Sequence, residues 1–183
     1  MILHRCFGWN RRARPAEQGG PLWFPRPFQG DGRHDNPDVY GCLYVADGPV
    51  SAIVEQLARF RGQRLTGGML VRRGLPLALA VLELPDERDM LDLDDPVVLG
   101  AHELRPSAVA TRSRDVTQPQ ALELFRRHPR LAAVRWWSTF ESLWANFTIF
   151  DRAAPALTVA GVGPLRLDDP ALHEAADVLG IAP

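Results

Sequence analysis

The sequence contains no lysine, because all 21 of its basic residues are arginines. Together with 22 acidic residues they give a formal net charge of −1. The chain therefore lacks the summed positive charge that drives sequence-independent binding to nucleic acid. No stretch reaches the roughly 20 apolar residues that a membrane span requires. We expect no direct nucleic-acid partner and no membrane, and any side-chain cation that binds phosphate must be a guanidinium.

Cysteine is almost absent as well. Cys6 and Cys42 are too few for a disulfide framework, and no Cys/His cluster has the spacing of metal ligands. The first residues continue into an arginine- and proline-rich segment instead of the apolar core of a signal peptide. We expect a cytoplasmic protein with two buried, reduced thiols and no metal.

The composition is that of an ordinary globular protein, with 46% hydrophobic and 23% charged residues, and 183 residues fit one domain with one core. Strands are predicted at residues 2–7, 40–46, 75–84, 107–111, 131–138 and 146–150, and helices at residues 49–61, 96–103, 117–127 and 170–179. Because strands and helices do not alternate strictly, we predict an α+β domain over residues 1–183, with a small mixed β-sheet and three to five helices. The last helix docks on this domain.

A long irregular segment separates the first two strands. Residues 10–30 are rich in Pro, Gly and Arg and contain Trp23, Phe24 and Phe28. Loops of this length in a compact domain are usually functional or act as lids. The three aromatic rings either cover a ligand or close the edge of the core, and the sequence leaves both alternatives open.

The helix after residue 48 carries an acid on its polar side. Asp47 is the predicted N-cap residue. The apolar residues form one stripe, which consists of Ile53, Leu57 and Phe60. Glu55 points away from that stripe and beside Arg59, and the spacing alone predicts a surface ion pair between them. Periodicity does not make Glu55 catalytic.

Several segments, taken in order, resemble the RES-domain family. They are Arg5, Gly32-Arg33 before Asn36-Pro37, Leu43–Ala46 followed by Ala52–Glu55, Val134–Ser138, and Asn146–Asp151. The similarity extends from about residue 3 to about residue 152, and it rests on the order and spacing of the segments together. The family is named after an arginine, a glutamate and a serine, and it includes toxins of bacterial toxin–antitoxin pairs.

The resemblance implies a fold similar to ADP-ribosyltransferase toxins and an enzyme that degrades NAD+ at the nicotinamide–ribose bond. Phosphorolysis with inorganic phosphate as co-substrate, giving nicotinamide and ADP-ribose-1''-phosphate, is the expected reaction. A mono-ADP-ribosyltransferase or an NAD+ hydrolase on the same site is the alternative. A non-catalytic domain that binds a nucleotide or a protein is the alternative of another class. The implied partner is a cognate antitoxin that covers the active-site cleft, which allows an oligomer with the antitoxin.

The resemblance also implies the site residues. Arg5, Glu55 and Ser138 match the three residues of the family's name and are the expected catalytic set, while Arg33 and Tyr44 match two further positions. A carboxylate can stabilise the positive charge that develops on ribose, and guanidinium groups can bind phosphates through paired hydrogen bonds. The tyrosine ring can pack on nicotinamide, and the serine hydroxyl can bind phosphate or ribose.

The chain departs from the family at two positions, each next to one of the expected arginines. His34 follows the Gly-Arg pair where the family usually has Trp or Phe, and His4 precedes the first arginine in place of a common tyrosine. We include His34 among the residues expected to bind the cofactor. A histidine there can titrate near neutral pH and donate toward phosphate, or it can be an ordinary solvent-exposed loop residue.

Overall fold

The computed structural model describes residues 1–86 and 88–182. Its strands and α-helices are β1 (Ile2–Gly8), β2 (Cys42–Ala46), α1 (Pro49–Leu57), β3 (Val71–Arg72), β4 (Leu75–Glu83), β5 (Met90–Asp92), α2 (Pro96–Ala101), α3 (Pro106–Ala110), α4 (Arg114–Arg127), β6 (Ala133–Trp137), β7 (Ala145–Phe150), β8 (Thr158–Pro164) and α5 (Pro170–Leu179). The predicted α+β class is confirmed: the described residues contain five α-helices, and their strands pair in both parallel and antiparallel fashion. None of these helices is long and apolar enough to cross a membrane.

The contacts between residues divide the chain into two compact units. The first consists of Met1–Trp23, Val45–Leu84 and Leu157–Pro183, and the second consists of Phe24–Tyr44 and Pro85–Ala156. The single domain expected over the whole chain stays a prediction.

The first unit is built on antiparallel strands. β1 pairs with β4 from Ile2 opposite Glu83 to Gly8 opposite Leu77. β4 also pairs with β8 and with the short β3. The helices α1 and α5 pack against each other, and α1 packs against β1. This arrangement buries the apolar side of α1, as the spacing of its residues predicts.

The N-terminal end of α1 corrects one prediction. The residue before the helix is Gly48, not Asp47, and no side chain caps the helix. The α-helix ends at Leu57 and continues as a single 3-10 turn, Ala58–Phe60. Ile53 and Leu57 are fully buried, whereas Phe60 is only half-buried. The helical stripe is therefore one turn shorter than predicted.

The C-terminal helix α5 has the predicted bounds, residues 170–179. Asp169 accepts the backbone N–H of Ala171 at 2.9 Å, and Pro170 occupies the first turn, where a missing N–H costs nothing. Gly180 ends the helix with a φ of 61°, a left-handed conformation that glycine adopts readily. These local signals fix both ends of the helix.

The second unit contains the mixed part of the pairing. β6 is antiparallel to β7 and parallel to β5. An aromatic core surrounds Tyr40, whose ring lies 4.3 Å from that of Phe125 and 4.8 Å from that of Phe150. Every residue of β7 is buried.

Two elements of the second unit differ from the sequence prediction. The strand predicted at 107–111 is wrong: Pro106–Ala110 is a short helix, opened by a proline in its first turn and buried only through Val109. Helix α4 begins at Arg114 instead of residue 117, so Pro119 lies inside it. Both helices begin with local start signals, a proline in the first turn of Pro106–Ala110 and Ser113 followed by Asp115 at the start of α4.

Candidate active site

The loop at residues 30–36 of the second unit folds around the carboxylate of Asp35. One carboxylate oxygen accepts the N–H groups of Gly30 at 2.9 Å and Gly32 at 2.7 Å. The other accepts the hydroxyl of Tyr44 at 2.7 Å. Asp35 is only 5% exposed, and three donors offset the cost of burying its charge. The carboxylate thus fixes the loop that carries two of the predicted site residues.

Gly32 is required because no side chain fits at this position. A Cβ atom would lie 2.5 Å from the Tyr44 hydroxyl oxygen and 2.6 Å from each carboxylate oxygen of Asp35. These separations are far below van der Waals contact, and the three atoms are held by their hydrogen bonds. The lack of space for a side chain therefore explains why the Gly-Arg pair begins with glycine.

Arg33 is buried, with 7% of its surface exposed. Its Nη1 donates to the carbonyl oxygens of Val109 at 2.6 Å and Thr111 at 2.7 Å. The guanidinium carbon also lies 4.5 Å from the centroid of the Trp136 ring, which gives a cation–π contact. A planar guanidinium can make the stacking contact and the two hydrogen bonds at once, and a lysine cannot. Arg33 is therefore held in a fixed orientation.

His34 corrects the expectation of a histidine that titrates near neutral pH or lies in solvent. It is 4% exposed, and its Nδ1 lies 2.8 Å from the Thr148 hydroxyl oxygen. Burial, followed by the nearby charges of Arg33 and Arg114, lowers the pKa of His34 to about 3. The ring is consequently neutral at physiological pH.

Tyr44 lies on β2 with its hydroxyl engaged by the loop. The hydroxyl accepts the backbone N–H of His34 at 2.9 Å and donates to Asp35. Burial raises the pKa of Tyr44 well above its ordinary value, and Cys42 and Asp35 raise it further. The hydroxyl is therefore a structural group, and the half-buried ring is what Tyr44 can offer to a ligand.

Ser138 directly follows β6 and begins a turn. It is 2% exposed, its N–H donates to the Trp144 carbonyl at 2.9 Å, and its Oγ accepts the N–H of Phe140 at 3.2 Å. The turn holds the hydroxyl at the end of the strand, in the same unit as Arg33.

Arg5 lies on β1 of the first unit and is 8% exposed. Its guanidinium donates to the carbonyls of Pro21 at 2.6 Å, Trp23 at 3.1 Å and Gly20 at 3.3 Å. Burial, followed by the charge of Arg72, lowers the pKa of Arg5 to about 9, so it is still protonated at neutral pH. Arg5 therefore anchors part of the long loop to β1.

The three aromatic residues of the long loop are not core residues. Trp23 and Phe24 are half-buried, and Phe28 is 52% exposed at the end of a 3-10 turn, Arg26–Phe28. Phe28 is thus the most exposed of the three rings.

Glu55 is exposed on α1 in the first unit. Ser51 to Val54 and Leu57 are buried, and Glu55 is the exposed residue of α1. The next residue, Gln56, accepts a hydrogen bond from Arg72. The carboxylate of Glu55 is therefore accessible to solvent.

The predicted set divides between the two units, with Arg5 and Glu55 in the first and Arg33, Tyr44 and Ser138 in the second. His34 is also in the second unit, where it contacts Tyr44 directly.

Three residues of the second unit that support the candidate site were not predicted from the sequence. Asp35, Thr148 and Trp136 hold the loop and its two basic residues in place. Thr148 and Asn146 are polar residues two apart in a fully buried strand. Polar side chains in a buried strand are destabilising unless they form hydrogen bonds. Their presence in this strand was the sequence signal that could have identified Thr148.

Across the described parts of the chain, no three His, Cys, Asp or Glu side chains are grouped so that they could hold a metal ion. The groups that can bind a ligand are guanidinium, imidazole, hydroxyl and carboxylate groups. This combination suits a phosphorylated sugar more than a cation.

Comparison with known proteins gives one family and one fold. The family model described as RES domain matches residues 3–168. Among solved structures, a chain of the M. tuberculosis MbcT–MbcA toxin–antitoxin complex is similar, with a TM-score of 0.66 and 18% identity. The match covers 98% of this chain and 88% of that chain, and at such low identity it shows the fold alone. No curated protein matches the chain.

Proposed function

The chain belongs to the RES domain family, and from that membership we propose that it is an enzyme that cleaves NAD+ between nicotinamide and ribose, with inorganic phosphate as acceptor. The family connects the chain with enzymes that act on NAD+. The family match over residues 3–168 is the observation that carries the proposal, since it includes every residue of the expected site.

The proposed reaction exchanges one bond for another at a single carbon atom. The C–N bond of ribose breaks, nicotinamide leaves with the electron pair, and a phosphate oxygen forms the new bond. The products are nicotinamide and ADP-ribose-1''-phosphate. Nicotinamide leaves as a neutral molecule, so the reaction requires no general acid.

Glu55 stabilises the positive charge that develops on ribose as the bond to nicotinamide weakens. Its exposure on α1 supports this role, because an exposed carboxylate can face a substrate. A carboxylate placed where charge develops stabilises the transition state more than the ground state. This difference lowers the activation barrier.

Arg33 and Arg5 bind the phosphate groups of NAD+ or the acceptor phosphate. The rigid mounting of Arg33 on two carbonyls and the Trp136 ring supports this role, because little entropy is lost when a fixed guanidinium binds. Arg5 uses three N–H groups for carbonyls of the long loop, so it contributes its charge and its remaining N–H groups. The Tyr44 ring packs on nicotinamide, and the Ser138 hydroxyl binds phosphate or ribose.

The proposal includes a protein partner. The similar solved structure is that of a toxin–antitoxin complex, which supports a separate antitoxin as partner. We propose that this antitoxin neutralises the protein by covering its site. Co-expression with the product of a neighbouring small gene tests the partner: binding together with loss of NAD+ cleavage supports it, and binding that leaves cleavage unchanged contradicts the covering role.

The activity is tested by incubating the purified protein with NAD+ in the presence and absence of inorganic phosphate. Phosphate-dependent loss of NAD+ supports the proposal, whereas equal loss without phosphate indicates a hydrolase. Transfer of labelled ADP-ribose to a protein indicates the transferase alternative. Binding of NAD+ with no loss under any condition indicates a non-catalytic binding domain and overturns the proposal.

A further inference from the structure

Thr148 connects two ring nitrogens within the second unit. It lies on β7 with no exposed surface. Its hydroxyl oxygen is 3.3 Å from Trp136 Nε1 and 2.8 Å from His34 Nδ1. The rings of His34 and Trp136 also meet edge to face, with their centroids 5.7 Å apart. One buried hydroxyl thus contacts both aromatic side chains that accompany Arg33.

The hydrogen count decides the direction of these bonds. The indole Nε1–H can only donate, so the Thr148 oxygen accepts from Trp136. The single hydroxyl hydrogen is satisfied by His34 Nδ1 when that nitrogen carries no proton and accepts. If Nδ1 were protonated, Thr148 would accept from both rings. Its buried hydroxyl hydrogen would then have no acceptor, and an unsatisfied buried donor is destabilising.

The charges around His34 favour the same state. Arg33 and Arg114 are the cations that act on its ring, and both oppose an additional positive charge. The carboxylate of the adjacent Asp35 is engaged by two backbone N–H groups and the Tyr44 hydroxyl. The strands that carry Thr148 and Trp136 present a hydroxyl and an indole to His34, which are both neutral groups.

We propose that Thr148 is a positioning residue that holds His34 as a neutral imidazole protonated at Nε2, so that this ring is a permanent hydrogen-bond donor for the substrate. The inference rests on the proposed function in assigning His34 to the substrate site. It extends that function because it names the donor atom and the residue that selects it. The donor is then insensitive to pH across the range in which an ordinary histidine titrates.

The tautomer is measured directly by nitrogen-15 NMR of the histidine rings in the full-length protein, without NAD+. The His34 signals are identified by their loss in His34→Phe. We expect a neutral ring with its proton on Nε2 and no change in protonation from pH 8 down to about pH 5. A proton on Nδ1, or titration near the ordinary histidine pKa of about 6.5, overturns the proposal.

Two variants of Thr148 then separate positioning from packing. Thr148→Ser retains the hydroxyl and should keep the Nε2 tautomer, with KM for NAD+ within about twofold of the wild type. Thr148→Val retains the shape but removes the hydroxyl, so a signal from the Nδ1 tautomer should appear. KM should then rise roughly three- to tenfold, the equivalent of one hydrogen bond, with a smaller change in kcat. An unchanged tautomer in a folded Thr148→Val variant contradicts the role of the hydroxyl.

The two proposals fail in different ways. If the wild-type protein shows the Nε2 tautomer but never consumes NAD+, the proposed function fails while the hydrogen-bond assignment stands. If NAD+ is consumed while His34 titrates near neutral pH, the inference fails and the proposed function stands.

Discussion

The loop at residues 30–36 and the helix α1 both carry predicted site residues, but they hold them in opposite ways. In the loop, Arg33, His34 and Asp35 are all buried, and each contacts other groups of the second unit. On α1, Glu55 is exposed and its neighbours form the core. A substitution in the loop therefore tests structure and chemistry together, whereas a substitution of the exposed Glu55 mainly tests chemistry.

The largest expected effect concerns Glu55. We expect Glu55→Ala to reduce kcat for NAD+ cleavage about a thousandfold, because the variant loses the charge that stabilises the ribose cation. The free energy of unfolding should stay within about 0.5 kcal/mol of the wild type, since the side chain is exposed. Steady-state kinetics and urea denaturation measure the two effects.

Glu174→Ala is the matched control for this experiment, because Glu174 is also an exposed acid on a helix of the first unit. It should leave both the rate and the stability unchanged. Full activity in Glu55→Ala would refute the assignment of Glu55, and a comparable loss of activity in the control would show that the effect is not specific.

The next largest effect is expected at Asp35. Removal of its carboxylate leaves two backbone N–H groups and the Tyr44 hydroxyl without their acceptor, so Asp35→Ala should lose about 3 kcal/mol of stability. Urea denaturation measures this loss. Asp31→Ala, in the same loop but with an exposed side chain, should lose less than about 0.5 kcal/mol. Equal effects of the two substitutions would contradict the account of the loop.

The smallest effect concerns the pH dependence contributed by His34. Its pKa is about 3 in the folded protein and about 6.5 when unfolded, so the unfolded state takes up the proton first as the pH falls. The stabilisation is complete above pH 6.5 and is lost below it, by about 1.4 kcal/mol per pH unit. His34→Phe should remove this slope between pH 6 and pH 4. Identical slopes in the two proteins would show that His34 is not buried in its neutral form.

Sequence patterns predicted those elements whose signals are local. Helix α5 has the predicted bounds because Asp169, Pro170 and Gly180 fix its ends within a few residues of sequence. Strand β5 was missed because a strand of three residues is defined by its parallel partner β6 and not by its own composition. The segment at 107–111 was assigned the wrong structure, since the prediction did not use Pro106 as a helix-start signal.

The same distinction applies to the candidate site. The types and order of the residues were readable from the sequence, and so was the position of Glu55 on the polar side of a helix. The burial of His34 was not readable, because it depends on Thr148, which lies 114 residues away in the chain. The role of Asp35 was not readable either, because a carboxylate in a Gly-rich turn is typical of solvated loops.

Identification of the products formed from NAD+ and inorganic phosphate tests the central claim most directly. Mass spectrometry of the reaction carried out in oxygen-18 water should show nicotinamide and ADP-ribose-1''-phosphate, with no oxygen from water in the second product. Free ADP-ribose that contains oxygen-18 would show that water is the acceptor. The absence of any nicotinamide would contradict the proposal that this protein cleaves NAD+.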